Sequence, residues 1–498
     1  MGEFMWSDHI NRMYLLGAVL ITTALWTVFK YFYPYPNVIF DSYNYVRAAA
    51  LHWNYNAWPI GYSKFLQVFA GLTHSALMLT TFQYFFLEFS CLLFFFTWRA
   101  VFQPDRIVSN IFFALLFVNP LFIFCCNFII SDGLFIGISL LWITQLFLII
   151  RRPRPYMVIT QALLLFAAFT IRYNALYYPL VVTLAFLFSR ERAWFKIGGI
   201  ALPLLLVGCF IQCTRHEVKK GTDQAQFSAF GSWKLANDVL YMYAHVPPEK
   251  IEDMAPRFHQ LENEVQQYFH QFSKPVGLAA DDDFTSGSRY MYFLNSPLVT
   301  YMHRKYPGEF PIFLNTRSYW QVAPLYQDYA LYLVRKNPVA FGRWFLWPNL
   351  GRYIMPPEEI FNSEESFVLK YSGPYFHELF HLDTLYTPPH LVNLGVQLME
   401  KSAGIVRMGH LCFLPGLVVF LLCSGFRQMS RPSRLCLVLA TGLWACDFCF
   451  SLVSAAIVLR YQLFVMVLEL GLGLYFIEYI YHFLDRRVPV ISADSYGS

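Results

Sequence analysis

The sequence predicts a mainly α-helical protein: a polytopic bundle of about ten membrane spans, with a mixed, mostly helical extracytoplasmic domain inserted before the last three. Three observations carry this. Of 498 residues, 57% are hydrophobic and only 14% charged, whereas soluble domains carry about a quarter charged. Apolar runs of about 20 residues recur, each long enough for a helix to cross the hydrocarbon layer. The polar residues gather in one long internal stretch. A mean hydropathy of +0.41 and a net charge of only +5 exclude a soluble enzyme and give no basic patch for nucleic acid.

The apolar runs lie at Tyr14–Tyr33, Ser75–Phe96, Asn110–Ile130, Leu134–Ile150, Met157–Thr170, Leu176–Phe188, Ile197–Gln212, Leu411–Phe426, Leu435–Leu459 and Leu463–His482. The first is too long, and lacks a small-residue cleavage site, to be a removable signal. The expected organisation is a transmembrane module over 1–213, an extracytoplasmic domain over 214–409, and C-terminal spans with a tail over 410–498.

Basic residues set the orientation. Arg99 and Arg106, Arg151, Arg152 and Arg154, Arg190, Arg192 and Lys196, Arg427, Arg431 and Arg434, then Arg486 and Arg487 fall on alternate loops. The positive-inside rule makes those loops and the N-terminus cytoplasmic. Three arginines break the pattern by lying on the outer side: Arg47, Arg172 and Arg460. Guanidinium groups there can capture an anion or snorkel to lipid phosphates.

The first outer loop, Val38–Lys64, carries Asp41 among Tyr43, Tyr45, His52, Trp53, Tyr55, Trp58 and Tyr62. Aromatic residues of this kind collect at a membrane boundary, and a carboxylate held where water is scarce can serve as a general base or metal ligand. The alternative is a hydrated loop acid. Asp132, in the tight outer turn before the fourth span, is either an N-cap or a second carboxylate. In the latter case, Asp41 and Asp132 would share a divalent cation, Mg or Mn, through oxygen ligands. Glu88, Asp447, Glu469 and Glu478 are intramembrane acids expected to hydrogen-bond between helices.

The inserted stretch shows helical patterns at Lys234–His245, Glu252–Phe272 and Tyr319–Lys336, with breaks at Asn337-Pro338, Trp347-Pro348 and Pro356-Pro357. The run Asp281-Asp282-Asp283 reads as a solvated loop. None of the ten cysteines falls between Thr214 and Gly409, which excludes a disulfide framework there. Cys446-Asp447-Phe448-Cys449, inside an apolar run, reads as packing. No Asn-x-Ser/Thr sequon occurs in the insertion, favouring a bacterial cytoplasmic membrane.

One rival motif stands out. His377-Glu378-Leu379-Phe380-His381 matches H-E-x-x-H, with Glu400 where a third ligand is found in gluzincin-like metallopeptidases. On a helix, His377 and His381 would share a face as zinc ligands, with Glu378 as base. Against it, the helical window between Pro374 and Pro388 is short, and a membrane-anchored peptidase needs one span rather than ten. A secondary transporter is a third class, but such proteins tend to show two related halves, and these spans divide unequally.

Asp41 after the first span, Asp132 before the fourth, IRYN at Ile171–Asn174 and RYQLF at Arg460–Phe464 together resemble the GT-C superfamily of integral-membrane glycosyltransferases. The nearest likeness is to bacterial relatives of protein O-mannosyltransferases and lipid A aminoarabinose transferases. Asn337-Pro338 followed by WPNLGRYIMPPEE is similar to segments of their outer domains. The resemblance implies transfer of a sugar from a polyprenyl-phosphate carrier to a lipid, glycan or protein acceptor at the extracytoplasmic face. It implies Asp41 as base, with inversion at the anomeric carbon. Arg172 and Arg460 would bind the donor phosphate, with Lys64 or Arg47 sharing that role, and Tyr43, Tyr45, His52, Tyr173 and Tyr461 would line the substrate site. Metal-using members carry an acidic pair in the outer turn. Here Asp132 is followed by Gly133 and Leu134, so paired arginines can stand in for a cation.

Overall fold

The computed structural model describes residues 8–271, 287–292, 295–307, 317–357, 374–382 and 389–485. Among these residues there is no β-strand, only one isolated parallel bridge between Asn37 and Phe128. Helix α1 (His9–Phe32) leads into two short helices, α2 (Phe40–Ala50) and α3 (Ile60–Ala70), and then α4 (Ala76–Phe102). The bundle continues with α5 (Arg106–Phe117), α6 (Pro120–Asn127), α7 (Asp132–Arg151), α8 (Met157–Ile171), α9 (Tyr178–Phe188) and α10 (Ala193–Thr222).

The polar insertion contains α11 (Ala229–Tyr243), α12 (His259–Gln271), α13 (Arg289–Tyr292), α14 (Pro297–Lys305), α15 (Arg317–Lys336), α16 (Pro338–Phe341), α17 (Trp347–Ile354) and α18 (Pro374–Phe380). The chain then returns through α19 (Pro389–Leu422), α20 (Gly425–Gln428), α21 (Arg431–Ser454) and α22 (Leu459–Asp485).

Among the described residues, eight helices are long and apolar enough to cross a membrane, with α5 and α6 together forming one of them. The chain is a mainly helical multi-pass membrane protein. The two short spans expected from sequence fall on the apolar helices α8, of 15 residues, and α9, of 11 residues, which are not among those eight. Helices α10 and α19 run through the expected domain boundaries at 213 and 409. Hydropathy changes there while the helical hydrogen bonding does not. The Asp281-Asp282-Asp283 run and the Arg486-Arg487 pair lie outside the described residues.

Trp347-Pro348 does not break the insertion. A single π-turn at Gly342–Leu346 joins α16 to α17 without a break, and its wider ring accommodates Pro348 in the first turn of α17. Asn337-Pro338 behaves as expected, with Pro338 opening α16.

Several ties draw the segments at one end of the bundle together. Asn37 N–H donates to Asn127 O at 2.9 Å, and Ile129 N–H donates to Asn37 O at 3.1 Å. The Asn127 amide adds bonds to Tyr35 O at 3.1 Å and to Asn37 Oδ1 at 2.8 Å. These anchor the segment before Asp41 beside the segment before Asp132. Gln83, buried in α4, donates to Cys126 O at 3.0 Å and Phe128 O at 3.1 Å, satisfying carbonyls freed where α6 ends. Its own carbonyl accepts from Tyr62 of α3 at 2.7 Å. Gly61 lets α3 lie against the end of α8, because a Cβ there would stand 2.5 Å from Thr170 O.

The insertion docks on the same end. The Asn349 amide, fully buried, donates to Leu452 O at 3.0 Å and Ala455 O at 2.8 Å. Its oxygen accepts from Ile457 N–H at 2.9 Å. Leu459 N–H donates to Pro357 O at 2.9 Å. One insertion helix therefore fixes the turn from which Arg460 projects.

Candidate active site

Each charged residue of the site sits at the start of a helix or beside one. Asp41 occupies the first turn of α2 and Asp132 the first turn of α7, where helix dipoles favour negative charge. Arg172 is the residue after α8, and Arg460 opens α22.

The structure brings the four into one chain of ion pairs. Arg460 Nη1 donates to Asp41 Oδ2 at 2.9 Å and lies 3.6 Å from Asp132 Oδ2. Arg172 Nη1 donates to Asp132 Oδ1. Side-chain exposures are 15% for Asp41, 2% for Asp132, 13% for Arg172 and 12% for Arg460. Two carboxylates thus meet two guanidinium groups in a nearly dry pocket, where such a pairing must be close to complete to be tolerated. It is not saturated. Asp132 Oδ2 and Arg460 Nε are both buried without a hydrogen bond.

Aromatic rings frame the guanidinium groups. Tyr461 lies 5.1 Å from both Arg172 and Arg460, ring centroid to guanidinium carbon, and Phe135 lies 5.7 Å from Arg172. These contacts hold the cations without consuming all their N–H donors. The Tyr45 hydroxyl lies 3.2 Å from Ser131 Oγ, and burial, with the Asp41 charge beside it, pushes that phenol up. The Tyr173 ring packs against Phe227 at 4.6 Å.

Tyr292, from α13 of the insertion, is a site residue that the sequence did not reveal. It packs against Phe40 at 5.7 Å, and burial, Tyr319 and Asp41 together push its phenol up. No local pattern marks it, since α13 has four residues.

The other residues singled out from sequence have different surroundings. The Arg47 guanidinium lies over Trp53 at 5.1 Å and Tyr375 at 6.0 Å. Lys64 donates to Asn54 Oδ1 at 3.2 Å, and His52 meets Gln67. The Tyr43 ring contacts Phe376 at 5.2 Å.

The donor set does not suit a divalent cation between Asp41 and Asp132. One nitrogen of Arg460 already lies between the two carboxylates. No third His, Cys, Asp or Glu joins them at ligand distance among the described residues. Gly133 explains the missing acidic pair: a Cβ at this position would lie 2.8 Å from Cys126 Sγ.

The zinc alternative finds no ligand group among the described residues. Helix α18 stops at Phe380, and His381 takes a left-handed backbone with φ of 52°, so His377 and His381 do not share a continuous helical face. Their rings are 6.0 Å apart, and His381 packs nearer His74, at 4.7 Å. Glu400 is exposed on α19. His377, His381 and Glu400 do not form a ligand group among the described residues. The motif instead buries Phe376, Leu379 and Phe380, with Leu379 O bonded to His74 Nδ1 at 2.8 Å.

No protein-family model matches the chain, and neither a curated protein nor a solved structure matches it.

Proposed function

We propose that the protein is a glycosyltransferase moving a sugar from a polyprenyl-phosphate donor to a hydroxyl of a lipid, glycan or protein acceptor. The reaction takes place at the extracytoplasmic face of a bacterial cytoplasmic membrane, with the N-terminus in the cytoplasm. The observation that carries this reading is the Asp41–Arg460–Asp132–Arg172 chain of charges, buried at one end of an apolar bundle. An anionic lipid headgroup needs fixed, weakly hydrated cations beside hydrocarbon, and Arg172 and Arg460 supply two.

On this reading the donor phosphate takes N–H donors of both guanidinium groups and displaces Asp41 from Arg460, while Arg172 stays paired with Asp132. Asp41 then accepts the proton of the acceptor hydroxyl. The acceptor oxygen forms a bond to the anomeric carbon while the bond from that carbon to the phosphate oxygen breaks. The leaving electron pair stays on the phosphate, where the guanidinium groups stabilise it. Attack opposite the leaving group inverts the anomeric centre, as in inverting glycosidases. Tyr461 holds both cations in place, and Asp132 keeps Arg172 oriented. No step is assigned to a metal ion.

Transfer assays with undecaprenyl-phosphate-linked sugars test the proposal. Asp41→Asn should insert and melt like the parent while losing transfer. Full transfer by that variant would remove Asp41 from the role of base.

A further inference from the structure

A second buried cluster lies in the C-terminal helices, away from the residues just assigned. His410 on α19, Glu469 on α22 and Asp447 on α21 are 1%, 0% and 3% exposed. His410 Nδ1 lies 2.8 Å from Glu469 Oε1, which also accepts from Trp444 Nε1 at 2.7 Å. Asp447 Oδ1 accepts from the Tyr177 hydroxyl at 2.8 Å, and Asp447 lies within electrostatic reach of both Glu469 and His410. The far atoms, His410 Nε2, Glu469 Oε2 and Asp447 Oδ2, are buried with no hydrogen bond.

Charge balance decides what this cluster holds. No lysine or arginine pairs with either carboxylate among the described residues. The other titratable groups facing Asp447 are Tyr177 and Tyr178 at the start of α9, Tyr353 from α17, and Cys446 and Cys449 on its own helix. One imidazolium can balance one carboxylate. The second carboxylate needs another positive charge, because an unpaired anion at bilayer depth is very costly.

We propose that His410, Glu469 and Asp447 form an intramembrane proton-binding site that governs the docking of α17. Glu469 and His410 make the ion pair, and Asp447 carries the bound proton. The coupling runs through one face of α17. Tyr353, 1% exposed, sets its ring 4.9 Å from His410 and 4.9 Å from Phe448. Asn349, one turn earlier on that helix, holds the turn leading to Arg460. Loss of the Asp447 proton places two carboxylates against one imidazolium and loosens this face.

Infrared difference titration of the full chain in lipid nanodiscs tests the site without any substrate. The wild type should show a protonated-carboxyl band at neutral pH that Asp447→Asn lacks. The difference between the two proteins is the readout, because every other buried carboxyl contributes equally to both. Identical spectra at every pH would overturn the proposal. If Asp447→Asn fails to insert, Glu469→Gln serves instead: it leaves Asp447 as the partner of His410, so the band should also vanish, and its persistence would overturn the assignment.

Repeating the titration with and without sodium separates a proton from an alkali cation. An unchanged midpoint is expected, and one that moves with sodium would overturn the proton as the ligand. Hydrogen exchange of the Trp347–Ile354 amides reads the coupling. Taken relative to the intrinsic exchange rate, which itself rises with pH, protection should fall across the band's own titration. Protection that stays constant with pH would overturn the link to α17.

Discussion

Asp41 and Asp132 at one end of the bundle, and Asp447 and Glu469 within it, are carboxylate pairs buried in the same chain but balanced differently. The first pair faces two guanidinium groups, which stay charged at any accessible pH. The second faces one imidazole and no guanidinium or ammonium group among the described residues. A cluster balanced by arginine can exchange one anion for another, so a phosphate can replace a carboxylate without any proton moving. A cluster short of a strong base balances itself with protons. The choice of base therefore suits one site to an anionic lipid and the other to pH.

The largest expected effect concerns the first cluster. Asp41→Asn should lower transfer by about 10²- to 10⁴-fold, the usual contribution of a positioned general base, with little change in thermal unfolding. A loss of folding in step with activity would make Asp41 structural.

Next come the guanidinium groups. Arg460→Gln leaves Asp41 unpaired and takes a second cation away from Asp132, whereas Arg172→Gln affects Asp132 alone, which keeps Arg460 at 3.6 Å. Arg460→Gln should therefore destabilise more, by about 3–5 kcal/mol. Thermal unfolding in one lipid composition ranks them. The reverse order would contradict the bridging role given to Arg460.

Packing near the cluster gives a smaller effect. Gly61→Ala drives a methyl against the backbone of Thr170, which cannot turn away as a side chain can. A cost of about 1–3 kcal/mol follows, read by the same unfolding measurement. No cost would mean that α3 and α8 separate freely.

A further buried acid lies between the two cases. Asp238 of α11 is fully buried, 3.7 Å from Lys234, and burial, only partly offset by Lys234, pushes its carboxyl up to about 7. The folded protein then holds this proton until about pH 7, while the unfolded chain releases it near about pH 4. Its contribution is therefore complete below about pH 4 and falls as pH rises towards 7. Asp238→Asn should flatten stability across that window. An unchanged slope would assign the pH dependence elsewhere.

The spans were legible because burial in lipid demands long apolar runs, whatever the tertiary detail. Asp41, Asp132, Arg172 and Arg460 stood out because charge at the edge of such a run is expensive. The contributions of Asn349, Tyr353 and Tyr292 were not legible. Each acts across a large sequence separation, and none belongs to a periodic pattern. The His377–His381 match is a rival that its short helical window already disfavours; its spacing presumes a helix through His381, and the chain turns left-handed at that residue. Trp347-Pro348 misled, because a π-turn absorbs the proline.

The most direct measurement is the affinity of the purified protein for undecaprenyl phosphate, compared with Arg172→Gln and Arg460→Gln variants that remain folded. Each guanidinium should contribute a charged hydrogen bond of about 1.5–3 kcal/mol, so each variant should bind about 10- to 100-fold more weakly. Affinity equal to the parent's in both would contradict the assignment of this cluster to a lipid phosphate.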